Sequence, residues 1–260
     1  MEIQLSGRRA LVTGGNSGIG RAMVEALAEA GARVGINYIA HPEATDALIT
    51  EMKARRWEGL PLRADVSDAA QVAQMFGELD RAWGGVDILI NNAGMDGARA
   101  TGWDSQPDVW RRVLDVNLVG AYHCAREALR RMIPQGRGAI LNLTSVHETI
   151  PWSGYSAYTA SKAGLSMLTK TLAQEGAPRG VRVLALAPGA VQTPINQDVW
   201  GDPKSLADLL TKIPMGRLGQ PEELARIAVV LVSDVAAYLT GTTVFVDGGM
   251  TLYPSFIHGG

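Results

Sequence analysis

The sequence predicts a doubly wound α/β domain, and three observations carry that prediction. Short apolar runs alternate with segments of helical periodicity along the whole 260-residue chain. Within each run every position is apolar, as in strands buried on both faces of a parallel sheet. Turns rich in glycine and asparagine follow the first and fourth runs, at the sheet edge where open α/β folds bind ligands. The expected architecture is one domain spanning 1–260, with about seven parallel strands and helices on both faces.

Taken in order, Arg9-Ala10-Leu11-Val12 forms the first strand and ends in a glycine cluster. Ala22, Met23, Ala26, Leu27 and Ala30 then recur at helical spacing, and Gly31 stops the helix. Val34-Gly35-Ile36 is the second strand, followed by a helix from Glu43 to Arg56. A strand at Leu60 to Arg63 and a helix from Asp68 to Trp83 come next, then a strand from Val86 to Ile90. One uninterrupted helix is expected from Pro107 to Met132, then strand Ala139 to Leu143 and helix Ala157 to Gln174. Strand Val181 to Ala187, helix Pro221 to Val232 and strand Thr243 to Val246 complete the pattern. Two stretches, Met95–Gln106 and Gln192–Pro214, read as irregular. Both follow strand ends, so residues 192–214 are expected to be a substrate loop or lid.

Composition narrows the function. Hydrophobic residues make up 47% and charged residues 19%, ordinary for a globular chain. Net charge is −2 and no basic block occurs, which argues against nucleic acid or acidic membranes as partners. No run of about 18 apolar residues is present, and Met1 to Leu5 lacks the pattern of a secretion signal. With the lone Cys124, these features make the cytoplasm the expected location.

Thr13-Gly14-Gly15-Asn16-Ser17-Gly18-Ile19-Gly20 lies between the first strand and the first helix. Glycines there let the backbone turn tightly and approach a pyrophosphate, while the helix N-terminus supplies N–H donors. An ordinary tight turn is the plainer reading of the same residues. Asp65-Val66 after the third strand suits an adenine edge, and Asn91-Asn92-Ala93-Gly94 after the fourth suits a ribose and nicotinamide. Asp and Asn also cap helices and form turns, but three such turns at successive strand ends favour a dinucleotide.

Tyr158 and Lys162 stand one helical turn apart on one face, just after the fifth strand and Ser145. Hydride transfer to a carbonyl requires a proton for the developing alkoxide, and the reverse requires its removal. A free tyrosine, with pKa about 10, is a poor base near neutrality. A lysine cation and a positive nicotinamide are expected to lower that value. Ser145 can hold the substrate oxygen, and Asn117 can hold a water linking Lys162 to solvent. Without that context, Tyr158 and Lys162 would read as a packed aromatic and a solvated helix charge.

Together these residues resemble the short-chain dehydrogenase/reductase family, over nearly the whole chain: Thr13 to Gly20, Asn91 to Gly94, Asn117, Ser145, Tyr158 with Lys162, and Pro188-Gly189 followed by Thr193. The resemblance implies a Rossmann-type fold, a catalytic tetrad of Asn117, Ser145, Tyr158 and Lys162, and a homotetramer. It adds Tyr38, Pro188, Gly189, Val191 and Thr193 to the cofactor contacts at Gly14, Asn16, Ser17, Gly18, Ile19, Gly20, Asp65, Val66, Asn92, Ala93 and Gly94. More narrowly, Ser145 to Glu148, Ile150-Pro151-Trp152, Thr193 to Asn196, Ile213 to Gly216 and the tail Asp247 to Phe256 are similar to bacterial glucose 1-dehydrogenases. That likeness implies oxidation of an aldose such as D-glucose at C1 to the lactone, with a tail from about residue 250 near the pocket. Asp96, Ser145, His147, Trp152 and Asn196 are the substrate residues it suggests, while Met95–Trp110 departs from the pattern. His147 and Trp152 have loop and packing roles as alternatives.

An acid at the end of the second strand would select NAD, and a nearby arginine NADP. Asn37-Tyr38-Ile39-Ala40-His41 supplies neither, so dual use with a tilt toward NADP is expected. The alternative activity is NADPH-dependent reduction of a 3-oxoacyl thioester or small ketone, for which Arg99, Arg111 and Arg112 would form a thin basic patch. A non-catalytic dinucleotide sensor is a distant third, since all four catalytic positions are kept. The four histidines are far apart and no metal-binding motif occurs, so no metal is expected.

Overall fold

Parallel pairing of seven strands gives one sheet: β1 (Arg9–Val12), β2 (Arg33–Tyr38), β3 (Gly59–Arg63), β4 (Ile88–Asn91), β5 (Gly138–Leu143), β6 (Val181–Pro188) and β7 (Thr243–Val246). The strand order is β3-β2-β1-β4-β5-β6-β7 in the computed structural model, which describes residues 3–252. Nine α-helices lie between the described strands or follow them: α1 (Gly18–Glu29), α2 (Pro42–Ala54), α3 (Ala69–Trp83), α4 (Pro107–Leu114), α5 (Ala121–Gln135), α6 (Ser156–Gly176), α7 (Gln197–Trp200), α8 (Pro203–Leu210) and α9 (Pro221–Val232). This is the Rossmann-type architecture that the alternation predicts.

The strands are apolar on both faces at their centres because the sheet has a core on each face. Ala10 and Val12 join Met23, Leu27, Ile36, Leu224 and Val229 on one side. Leu11, between them, joins Leu62, Phe76, Leu89 and Ile140 on the other. Each such large side chain contributes about 1.5–3 kcal/mol by leaving water.

Sheet order sets the position of the cleft. The chain runs outward from β1 to β3, then returns to place β4 on the other side of β1. That reversal opens a crevice beyond the C-terminal ends of β1 and β4, with the glycine turn on one side and Asn91–Gly94 on the other. Thr13 joins the two: its Oγ1 accepts from Asn92 N at 2.9 Å and Ala93 N at 3.0 Å.

Three expectations are corrected. The helix expected from Pro107 to Met132 is interrupted by a π-helical turn, Asp115–Gly120, between α4 and α5, and continues to Gln135. A π turn adds one residue to the cycle, which periodicity does not register, and such turns gather at functional sites. Close packing accompanies it, since a Cβ on Gly120 would lie 2.7 Å from Val66 Cγ2. The stretch Gln192–Pro214 is largely helical, holding a 3-10 turn (Pro194–Asn196), α7 and α8. Asp202-Pro203 is a capping pair that announces α8: the Asp202 carboxylate accepts from Ser205 N at 2.9 Å. The fourth strand begins at Ile88 and not Val86, because Asp87 turns its carboxylate to Arg9. Of the expected tail, the part beyond Leu252 lies outside the described residues.

Candidate active site

A cleft of about 770 Å³ lies at the reversal point. One end is made of Gly14, Ser17, Gly18, Ile19 and Gly20. Gly14 has φ +60°, and a Cβ there would sit 3.1 Å from Ala93 Cα. A Cβ on Gly20 would lie 2.1 Å from Gly14 O, so only glycine lets α1 start against the turn. Ser17 is the N-cap of α1 but makes no side-chain capping bond, and the first turn carries no acid. Its N–H groups are thus left for an anion, as a helix start beside a pyrophosphate requires. Glycine surface and uncapped donors together fit a dinucleotide.

Not every residue expected at this end faces the cleft. The Asn16 side chain is turned away, donating to Ala40 O at 2.9 Å and His41 O at 3.2 Å, and it braces the turn after β2. Asn92 does line the cleft, with its amide donating to Thr13 O at 2.9 Å and Gly14 O at 3.0 Å. The Asp65 carboxylate accepts from Ser67 and from Arg112 Nη2 at 2.8 Å; these bonds hold it below the usual carboxylate range although burial opposes them. Val66 is buried against Gly120, and Tyr38 is half-buried at the end of β2. Asn16, Tyr38, Asp65 and Val66 therefore lie beside the cleft rather than in its wall. Ala93 and Gly94 line it, as do Pro188, Gly189, Val191 and Thr193 across from them.

At the centre, Ser145 lies two residues past β5 and Tyr158 is in the first turn of α6. Lys162, one turn on, donates to Leu143 O at 2.7 Å, and its Nζ is 5.6 Å from the Tyr158 ring centre. Asn117 sits in the π turn with its side chain committed. Oδ1 accepts from Met95 N at 2.9 Å, while Nδ2 donates to Met95 O at 2.9 Å and Ser161 Oγ at 3.1 Å. Its side-chain role here is to fasten the loop after β4 to α6. A water held here would therefore be bound by donating to Oδ1 or to the backbone carbonyl and not by accepting from the amide.

Burial sets the ionisation of the pair among the protein's own groups. Burial pushes the Tyr158 phenol up to about 12, partly offset by hydrogen bonding with Ser145 and reinforced by the charge of Asp96. Burial pulls Lys162 down to about 8, with Asp96 opposing. The protein's own groups keep the phenol protonated, because desolvation outweighs the hydrogen bond with Ser145. A bound oxidised nicotinamide supplies a hydride acceptor and a positive charge that favours phenolate.

Beyond Tyr158 the wall is aromatic and apolar. His147 stacks on Trp152 at 4.6 Å, and Trp152 stacks on Tyr155 at 3.9 Å with its edge toward Tyr158. The His147 Nδ1 donates to Ile150 O at 3.0 Å, and burial lowers its pKa. Asp96 lines the same space, its carboxyl raised by burial against the pull of Lys162 and His147. Asn196 reaches the lining but its amide is used internally: Oδ1 accepts from Thr193, and Nδ2 donates to Val191 O at 2.8 Å. Val199 and Leu209 of the lid helices, Lys212 just past them, and Met250 also line the cleft. The sequence placed the segments 192–214 and the tail from about residue 250 at the pocket without singling out these four; the Thr193-x-x-Asn196 capping pattern and the apolar positions of α7 and α8 were the available signals.

A doubly wound sheet with a donor-lined glycine turn and a buried Ser–Tyr–Lys set defines a nicotinamide-dependent oxidoreductase. A family model described as Enoyl-(Acyl carrier protein) reductase matches residues 14–251. The chain is 44% identical over 256 residues to 3β-hydroxysteroid dehydrogenase 1 of Eggerthella lenta, covering 98% of each. It is 39% identical over 252 residues to glucose 1-dehydrogenase 2 of Bacillus subtilis, covering 96% of this chain and 97% of that one. Among solved structures, a gluconate 5-dehydrogenase from Burkholderia cenocepacia, in complex with NADP and tartrate, superposes with TM-score 0.91 at 35% identity, over 96% of this chain and 98% of that one. The chain belongs to the short-chain dehydrogenase/reductase family and is an NAD(P)-dependent oxidoreductase.

Proposed function

We propose that the enzyme interconverts a secondary alcohol and its ketone on a substrate with a largely apolar ring body. The observation that carries this reading is the apolar part of the cleft lining: Ile150, Pro151, Trp152, Val199, Leu209 and Met250, with the Asn196 amide withdrawn. Apolar pockets reward the burial of apolar rings, whereas each sugar hydroxyl needs its own partner. The 3β-hydroxysteroid dehydrogenase relative agrees with this. In the oxidising direction Ser145 holds the substrate oxygen, Tyr158 takes its proton, and Lys162 favours the phenolate.

Oxidation of an aldose such as D-glucose at C1 is the second reading, favoured by Asp96 and His147 facing the same space. The 3-oxoacyl thioester reading weakens because Arg112 is tied to Asp65 and Ser67. Steady-state kcat/KM for a 3β-hydroxysteroid, β-D-glucose and an acetoacetyl thioester decides among them. The steroid is expected to lead by at least tenfold; glucose leading by that margin would put the aldose reading in its place.

Use of both cofactors with a tilt toward NADP stands, given the uncharged Asn37-Tyr38-Ile39 at the end of β2. A homotetramer is the proposed assembly, supported by outward Tyr122 on α5, Met167 on α6 and Phe245 on the edge strand β7. Light scattering at the mass of four chains is the expected result.

A further inference from the structure

NADP differs from NAD by a phosphate on the ribose beyond β2, and the segment ending that strand carries no arginine. The neighbouring strand does carry one. In the β2–β3 register Tyr38 stands opposite Arg63, the last residue of β3. Parallel neighbours lie about 4.8 Å apart and opposed residues share a face. Alternation gives the same face independently. Ile36 enters the core beneath α1 and α9, so Tyr38, two residues on, faces that way. Leu62 enters the opposite core, which turns Arg63 to the side of Tyr38.

The surroundings leave this guanidinium available. Arg63 is exposed, and the acids of the two strand-end turns have other partners: Glu43 pairs with His41 and Asp65 with Arg112. Among the described residues no carboxylate forms an ion pair with it. The turn above is held in place, because Asn16 binds the carbonyls of Ala40 and His41. A planar guanidinium beside the strand end where the ribose is expected is suited to a phosphate monoester, which it can grip with two parallel N–H groups.

We propose that Arg63 recognises the 2′-phosphate and supplies the tilt toward NADP. The inference rests on the reading of the cleft as a dinucleotide site and names the specificity residue within it. Its signal is absent from the sequence segment usually inspected, since it comes from the adjacent strand and only register reveals it.

The test uses the full chain, the variants Arg63→Gln and Arg63→Lys, and calorimetric titration with 2′,5′-ADP and 5′-ADP. Loss of a charge-assisted contact weakens 2′,5′-ADP by about tenfold or more in Arg63→Gln. Arg63→Lys keeps part of the affinity, and 5′-ADP binds all three proteins within about twofold. In parallel, kcat/KM for NADP falls in Arg63→Gln while that for NAD is unchanged. The proposal is overturned if 2′,5′-ADP binds Arg63→Gln as it binds the parent, if both probes weaken equally, or if the parent shows no preference for the phosphate. Failure of the parent to bind either probe would instead overturn the dinucleotide reading itself.

Discussion

Lys162 holds its ammonium 2.7 Å from the Leu143 carbonyl and 5.6 Å from the centre of the Tyr158 ring. The strand end of β5 thereby fixes the cation under the phenol it must influence. Tyr158 titrates at about 12 and Lys162 at about 8 with only protein groups around them. Alcohol oxidation needs phenolate, so kcat for oxidation should rise with pH above neutrality, and carbonyl reduction should fall. Tyr158→Phe is expected to lower kcat by at least the roughly 10²-fold typical of a general acid–base residue. Lys162→Met should lower oxidation similarly near pH 7, with the deficit narrowing as pH rises. Retained turnover in Tyr158→Phe, with the best substrate found, would remove the acid–base assignment.

The same lysine is predicted to cost stability. Its pKa of about 8 in the fold lies below the ordinary lysine value of 10.5, so the unfolded chain binds more protons between those values. Stability therefore rises with pH through that window and carries the full penalty below pH 8. Tyr158 acts in the opposite sense, but only above its unfolded value of 10. Between pH 8 and 9 the slope belongs to Lys162; above pH 9 the buried Cys124 thiol, raised to about 12, opposes it. Lys162→Met should be more stable than the parent at pH 7 by about 1–3 kcal/mol, after allowing for the lost bond to Leu143. The gain should shrink by pH 10. Urea unfolding at a series of pH values measures it, and a pH-independent difference would contradict it.

Much of this architecture was legible because it depends on spacing along the chain. The glycines at 14, 18 and 20 and the pair Tyr158–Lys162 form local patterns that survive without knowledge of the fold. Legibility stopped where tertiary approach decides. The π turn at Asp115–Gly120 follows from packing against Val66, which no periodicity reports. Asn16 and Asn196 belong to suggestive motifs, yet their amides are claimed by backbone carbonyls and neighbouring side chains. Sequence also does not weigh burial, which among the protein's own groups pushes the Tyr158 phenol up to about 12 and leaves its lowering to a bound nicotinamide.

Gly20 shows how closely folding and binding share one residue. An added methyl would lie 2.1 Å from Gly14 O and 2.5 Å from Asn92 Nδ2, both in the walls of the crevice. Gly20→Ala must displace the start of α1 or spread the β1 and β4 turns. A destabilisation of about 1–3 kcal/mol is expected from such overpacking. Dinucleotide affinity should fall further than stability alone explains, because the helix donors move with the turn. Thermal melting with and without NADPH separates the two; an unchanged ligand-induced shift would mean the donors had not moved.

Trp152 stands at the junction of the catalytic and substrate walls, stacked between His147 and Tyr155 and 37% exposed. Two roles make opposite predictions for Trp152→Ala. If the indole is a surface for an apolar ring, KM for the preferred alcohol rises about tenfold and kcat changes little, since the lost contact acts on bound substrate and transition state alike. If its edge contact with Tyr158 at 5.8 Å positions the phenol, kcat falls and KM holds. The largely apolar wall around it favours the first outcome. Its partial exposure implies that the melting temperature shifts by only a few degrees, since each aromatic pair is worth about 0.5–1.5 kcal/mol. Glucose supplies the control: an alcohol recognised through Asp96 and His147 should lose less from the same change than one recognised by ring burial. Equal losses for both substrates would mean that Trp152 acts by holding His147 in place.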